Sequence, residues 1–359
     1  MRGAARRAAP RLATLIAAIG FVGCDGNGEM AEEPGDRRAM PEREEPRERE
    51  EPQGRHLRAF VAVEEQDEVA ILIGPSWRVD HRLSVPDGPH NVVASPDGRH
   101  VAITSPPADR VTILRAADGE VVAQPEVPGS PHDADFTPDG DRLWVAVEKG
   151  QRLVKLSVPE GKKLHERRAT AGPHDLAVSP DGDELWVTLG RVPTVEVRSA
   201  DEGRLLARPD LGGAPHDLAF QPSGRRIWFS NWPSGRLTVA SVAQRAVLDR
   251  IPAGEVPHHF ACGPRCLWVS DHADGSVVRF DPGPPRRRVG RTDVSEGELH
   301  HPAVAGGAVL VAAHDDGQVA ILSRTDGEVT DRVDVGAGPH GVAVADPRAR
   351  PARDDGDCA

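Results

Sequence analysis

Histidine is the residue type in this chain whose number and spacing point to chemistry. Of its 15 histidines, His90, His132, His174, His216, His258, His300 and His340 follow one another at intervals of 42, 42, 42, 42, 42 and 40 residues. Proline stands before six of them, and Leu299 takes its place before His300. The residues that follow break the pattern: Asn91, Asp133, Asp175, Asp217, His259, His301 and Gly341. His272 and His314 lie fourteen residues beyond His258 and His300, each beside an aspartate, Asp271 or Asp315. Neutral imidazole is a common ligand of copper and zinc, and a neighbouring carboxylate can orient it. His258, His259, His272, His300, His301 and His314, six imidazoles from two successive repeats, are therefore the candidate metal ligands, for copper or zinc.

Each observation has a plainer alternative. A histidine present in every repeat is most simply explained by a need that every repeat shares, such as bonding the neighbouring backbone. All seven cannot converge on one ion, because such sites use about four ligands. The six-histidine group has its own alternative in a cluster of solvated polar loops.

The elements that must carry these residues are short strands. In the third repeat they run over His174–Ser179, Glu184–Leu189, Thr194–Ser199 and Arg204–Asp210, with apolar residues at alternate places such as Leu185, Val187 and Leu189. That is the period of a strand, and Pro180-Asp181-Gly182 and Asp201-Glu202-Gly203 supply turns. Four strands per forty-odd residues, repeated in tandem, predict an all-β propeller. The seventh repeat stops after its first strand, while Arg58–Val63, Glu68–Ile73 and Arg78–Ser84 match the second, third and fourth strands of the others. Seven four-stranded blades are predicted, rather than eight, with the C-terminal strand innermost in the blade that the N-terminal strands begin. Trp144, Trp186, Trp228 and Trp268 share one slot and should fill the space between blades.

The link into each first strand lies on the same face as the turn between the second and third strands. That turn presents Pro106, Glu148, Gly190, Trp232, His272 and His314 in blades 1 to 6, and Glu64 in blade 7. His90, His132, His174, His216, His340, Glu64 and Glu148 are thus predicted to ring the channel mouth around the candidate ligands.

The repeat Pro173-His174-Asp175-Leu176-Ala177-Val178-Ser179-Pro180-Asp181-Gly182, followed by Glu184-Leu185-Trp186-Val187-Thr188, resembles the YVTN-type β-propeller repeat over roughly residues 56 to 347. The resemblance implies the fold and leaves activity open, since such propellers include surface proteins, lactonases, lyases and redox enzymes. Nitrous oxide reductase is similar in architecture, with channel histidines that hold copper; no counterpart of its second copper domain is read here.

Before the repeats, Arg2, Arg6, Arg7 and Arg11 precede an apolar run from Leu12 to Val22, too short to span a membrane. With Phe21-Val22-Gly23-Cys24 it resembles a bacterial lipoprotein signal, residues 1–23, which implies a lipid on Cys24 and export to the cell envelope, on its periplasmic or extracellular side. Ordinary secretion and an uncleaved anchor are the alternatives. Residues 25 to 55 hold eleven acidic and six basic side chains and almost nothing apolar. Residues 24–55 are thus predicted to be a disordered tether. The propeller is predicted over residues 56–347 and a polar tail over 348–359. Cys262 and Cys266 flank a tight turn and could pair as a disulfide in an oxidising compartment; Cys358 has no evident partner.

The formal net charge of −12 and the absence of tyrosine leave nucleic-acid binding without electrostatic or stacking support. No phosphate loop, Gly-x-Ser-x-Gly elbow or His-Glu-x-x-His motif occurs. These features favour a membrane-tethered binding or interaction module over an enzyme, its ligand a protein or small molecule. The alternative is a metal-dependent enzyme at the same face, lactonase-like, lyase-like or copper redox. In the lactonase or lyase version, His132 or His174 is the base and Glu148 or Glu64 a metal ligand.

Overall fold

Alternating apolar residues with glycine-bearing turns every eight to twelve residues leave the backbone one efficient arrangement, an antiparallel meander. The computed structural model describes residues 56–190, 192–232, 234–262 and 266–346. It forms seven four-stranded antiparallel sheets, the blades of a propeller. Blade 3, for example, orders Leu176–Val178, Glu184–Thr188, Val195–Ser199 and Leu205–Ala207 from the inside out. Burial follows the order of strands: the middle two are almost wholly covered, whereas an outer strand such as Lys163–Arg168 is largely exposed.

Blade 7 joins the two ends of the repeat region. Pro339–Ala345 lies innermost and pairs antiparallel with Arg58–Val63, with Phe60 opposite Ala343 and Val61 opposite Val342. Glu68–Ile73 and Arg78–Ser84 complete the sheet. This closure gives the Arg58–Val63 edge a partner that no sequence-adjacent strand provides.

Between blades lie separate apolar clusters, and the four tryptophans fill them as expected: Trp144, Trp186, Trp228 and Trp268 are fully buried. The Trp144 indole also donates to the carbonyl of Ala200 in the next blade at 2.8 Å. Among the described residues no helix is long and apolar enough to cross a membrane. Cys24, the tether and the tail lie outside the described residues. Cys262, half-buried, ends the first strand of blade 5, and Cys266, also half-buried, directly precedes the second; residues 263–265 between them are likewise outside.

Candidate metal centre at the histidine-lined end of the channel

An undistorted strand would point His258 and His259 to opposite faces. The inner strands are not undistorted there. In blade 5 Pro257 pairs with Asp271 and Phe260 with Val269, so His258 and His259 together face the single residue Ser270. The same register shift falls at Pro215/Leu218, Leu299/Pro302 and opposite Val61/Val63. Such a bulge re-aims side chains, and here it turns both residues of each pair toward the channel. It also takes the second residue's N–H out of the ladder. Hydroxyls on the second strand accept those N–H groups: Thr104 from Asn91, Thr188 from Asp175, Ser230 from Asp217 and Ser270 from His259, at 3.0 to 3.3 Å.

The seven leading histidines form a closed ring, with successive ring centroids 3.8 to 5.6 Å apart. Two of them carry out the scaffolding role. His132 Nδ1 lies 3.2 Å from the His174 carbonyl, and His340 Nδ1 lies 3.2 Å from that of His90. The turn residues stand over this ring. Trp232 lies edge-on to His216, His258 and His272, and Glu64 is 3.6 Å from His90 Nδ1. Glu148 reaches the ring electrostatically, through His174.

The second residue of each pair distinguishes the sectors. Asp133 accepts the Leu176 N–H from blade 3 at 2.7 Å, and Asp217 accepts that of Phe260 from blade 5 at 3.1 Å. These carboxylates cover N–H groups on the inner edge of the following blade. In blade 6 the corresponding residue is Pro302, which has no N–H to cover. The blade 5 position is thereby released from scaffold duty, and His259 occupies it. His259 stacks on His301 at 3.6 Å between centroids. In blade 7 there is no room for any side chain: a Cβ on Gly341 would come within 2.6 Å of backbone atoms of His90 and Val92.

In blades 5 and 6 four of the six predicted ligands come together, His258, His259, His272 and His300. His258, His259 and His300 can each offer a nitrogen within 4.8 Å of the others, and all three are buried. His272 lies 4.6 Å from His258 and 4.9 Å from His300, between centroids. Buried ring nitrogens of His258, His259, His272 and His300 have no hydrogen-bond partner. Four imidazoles with unused nitrogens fit an ion that prefers nitrogen donors, such as copper or zinc. Burial, reinforced by neighbouring imidazoles, depresses the pKa of His258 and His259 far below the usual range and that of His300 to about 2. Burial likewise takes His301 to about 3. Their lone pairs are free at neutral pH. His301 packs behind His259 and His340 rather than in the triad, while His314 stands at the rim, 5.2 Å from His300.

The flanking carboxylates differ from expectation in one case. Asp315 approaches His314 Nδ1 at 3.2 Å, in the orienting position. Asp271 does not serve His272; it accepts the backbone N–H groups of Glu255, Val256 and Ala273 and so holds the loop. The carboxylate nearest His272 is Glu298, at 3.4 Å, and it is 3.8 Å from His300. Glu298 was not among the residues singled out from sequence. Its signal was present: it is the only charged residue two places before a leading histidine, where the others are glycine, serine, alanine or valine.

The opposite sector is acidic. Asp175 is buried among His132, His174 and His216, with Nδ1 atoms 3.5, 3.1 and 3.5 Å from its oxygens. Burial disfavours its charge, but these histidines outweigh burial and hold its pKa well below the usual range. Burial opposes a proton on His174 as well, yet Asp175 prevails and raises that pKa. Asp133 and Asp217 are pushed far up, by burial first and by Asp175 second. A cavity of about 560 Å³ is lined by inner-strand residues of all seven blades, including Asp133, Asp135 and Asp217.

No protein-family model matches the chain, and no curated protein does. Solved propellers are similar in fold. The periplasmic gluconolactonase of Pseudomonas aeruginosa superposes with a TM-score of 0.68 at 20% identity, covering 81% of this chain and 98% of that one. Hydrazine synthase of Kuenenia stuttgartiensis gives 0.66 at 17% identity, over 77% and 93%. A dihydro-heme d1 dehydrogenase gives 0.62 at 17%, over 84% and 77%. At these identities the likeness shows the fold alone. The expectation of a module without catalysis is corrected by this chain's own residues, which gather histidine and carboxylate clusters whose ligand atoms lie within 4.8 Å of one another. The chain is a seven-bladed β-propeller with histidine and carboxylate clusters able to coordinate metal.

Proposed function

We propose that the protein is a metal-dependent enzyme of the bacterial cell envelope, acting on a small molecule at the histidine-lined face of the propeller. The observation that carries this reading is the set of buried ring nitrogens without a hydrogen bond on His258, His259, His272 and His300, of which His259 Nδ1 alone has a carboxylate, Asp217, within 3.4 Å. His258, His259 and His300 would hold the ion, with His272 as fourth ligand or as the group beside an open position. A zinc or copper ion there would supply Lewis-acid activation of a substrate oxygen or of water. Glu298, half exposed and 3.4 Å from His272 Nε2, would serve as the proton acceptor beside the site. Trp232 walls the site on the blade 4 side and His314 with Asp315 on the blade 6 side. Hydrolytic or eliminating chemistry on a lactone-like substrate is the leading reaction class. Copper redox chemistry is the second reading, and the all-histidine make-up of the buried triad favours it.

Export and anchoring belong to the same proposal. The basic start, the short apolar run and Gly23-Cys24 support a lipid anchor on Cys24, and the tether would hold the propeller away from the membrane. The Pro-His and Ser-Pro-Asp-Gly repeats support a YVTN-type origin, and an oxidising compartment would suit a Cys262–Cys266 disulfide. Metal analysis of the purified chain is the test. We expect stoichiometric copper or zinc, lost in a His258→Gln, His300→Gln double variant that still folds, together with metal-dependent turnover of a lactone panel. Protein that carries no metal after growth and purification in zinc or copper, and takes up none on titration, would sink the proposal.

A further inference from the structure

Three polar atoms in the acidic sector share the property that marks the first site. Asp175 Oδ2, His174 Nδ1 and His216 Nδ1 are each buried, with no hydrogen-bond partner outside their own group. The oxygen lies 3.1 Å from the His174 nitrogen and 3.5 Å from that of His216. The ligand–ligand edge around a tetrahedral first-row ion bound at its usual distances is about 3.4 Å. Asp175 itself is 4% exposed, so its charge is not relieved by water.

The scaffold does not account for Asp175. Its counterparts Asp133 and Asp217 each cover a backbone N–H of the following blade. The N–H that Asp175 would cover, that of Leu218, is taken instead by Asp217 at 2.6 Å. The polar neighbours of the Asp175 side chain are three histidines. His132 commits its Nδ1 to the His174 carbonyl and therefore positions the neighbouring blade rather than offering that nitrogen.

We propose that His174, Asp175 and His216 form a second cation site, separate from the imidazole site of blades 5 and 6, for a first-row divalent ion. Two nitrogens and one carboxylate oxygen make it the harder donor set, suited to manganese, iron(II), cobalt(II) or zinc, with coordination positions left open toward the channel. The blade 5 and 6 site, whose buried donors are all nitrogens, favours copper or zinc. The inference does not depend on the enzyme reading and survives or fails by itself.

Cobalt(II) added to metal-free, full-length protein, read by visible absorption and by metal content, tests it. Wild type should take up two ions per chain. Asp175→Asn should take up one, with loss of the absorption bands that belong to the mixed nitrogen–oxygen site. His258→Gln with His300→Gln should also take up one, and keep those bands. Should Asp175→Asn fail to fold by circular dichroism, His216→Gln gives the same reading with the carboxylate intact. Two ions retained by a folded Asp175→Asn or His216→Gln variant would overturn the proposal. So would a wild type that binds a single ion lost only with His258 and His300, which leaves the enzyme reading standing. Loss of cobalt only with Asp175 or His216 would do the reverse.

Discussion

At the scale of single residues, the chain buries imidazoles that are neutral when folded. His90, His216, His258, His259, His300, His301 and His340 all have pKa values depressed chiefly by burial, His216 to about 3. In the unfolded chain each takes up a proton near its ordinary value of about 6.5. Above that pH neither state binds the proton and these groups do not affect stability. Below it the unfolded state binds more protons than the folded one, and stability falls by about 1.4 kcal/mol per pH unit for each excess proton. Asp133, Asp217 and Asp135, the last raised to about 7, act in the other direction, as does His174, because their raised values favour the folded state in acid. The histidines outnumber them. Melting temperatures of the metal-free protein are therefore expected to drop steeply from about pH 6.5 downward, and replacing His258 and His300 by glutamine should flatten that slope. A profile level from pH 7.5 to 5 would contradict the assignment of neutral histidines.

At the scale of the element, the blade needs both its ladder and its interblade filling. Trp186 is fully buried and packs against Phe229 and Phe220 of blade 4, with its indole donating to Glu184 at 2.8 Å. Truncation to alanine removes a large apolar side chain from a seam where blades meet and leaves a cavity. A loss of about 3–5 kcal/mol is expected for Trp186→Ala by urea denaturation. A loss below 1 kcal/mol would mean that the seam collapses to fill the void. The inner strand shows where sequence pattern and geometry diverge. Alternation places neighbours on opposite faces, so His259 and His301 could be read only as extra histidines near the ring. The bulge at each pair brings them inward, and the hydroxyls of Thr104, Thr188, Ser230 and Ser270 serve the N–H it releases.

At the scale of the whole molecule, closure depends on Pro339–Ala345 pairing with Arg58–Val63. Removing residues 339–345 would expose the unpaired edge of Arg58–Val63 and the apolar faces of blades 6 and 1. That deletion is expected to abolish the single cooperative unfolding transition and to give aggregation, measured by calorimetry and light scattering. Moving residues 336–346 ahead of His56 by circular permutation makes blade 7 continuous and should restore both fold and melting temperature to near the wild-type value. A deleted chain that stays monomeric with an unchanged melt would show that the ring does not need its last strand.

What the amino-acid order determined by itself is what repetition can carry. The 42-residue period, the strand alternation, the tryptophan slot and the truncated last repeat together specify seven blades and their closure, because each is a local pattern read many times over. The histidine ring and its facing turns were also legible, since topology alone assigns them to one end. The pairing of partners was not. That Asp271 holds a loop while Glu298 meets His272, and that Asp175 is left among three histidines while Asp217 covers Leu218, depends on contacts between residues 16 to 43 positions apart or on competition for one N–H. Such choices are settled by distances of an ångström across blade seams, and no one-dimensional spacing encodes them.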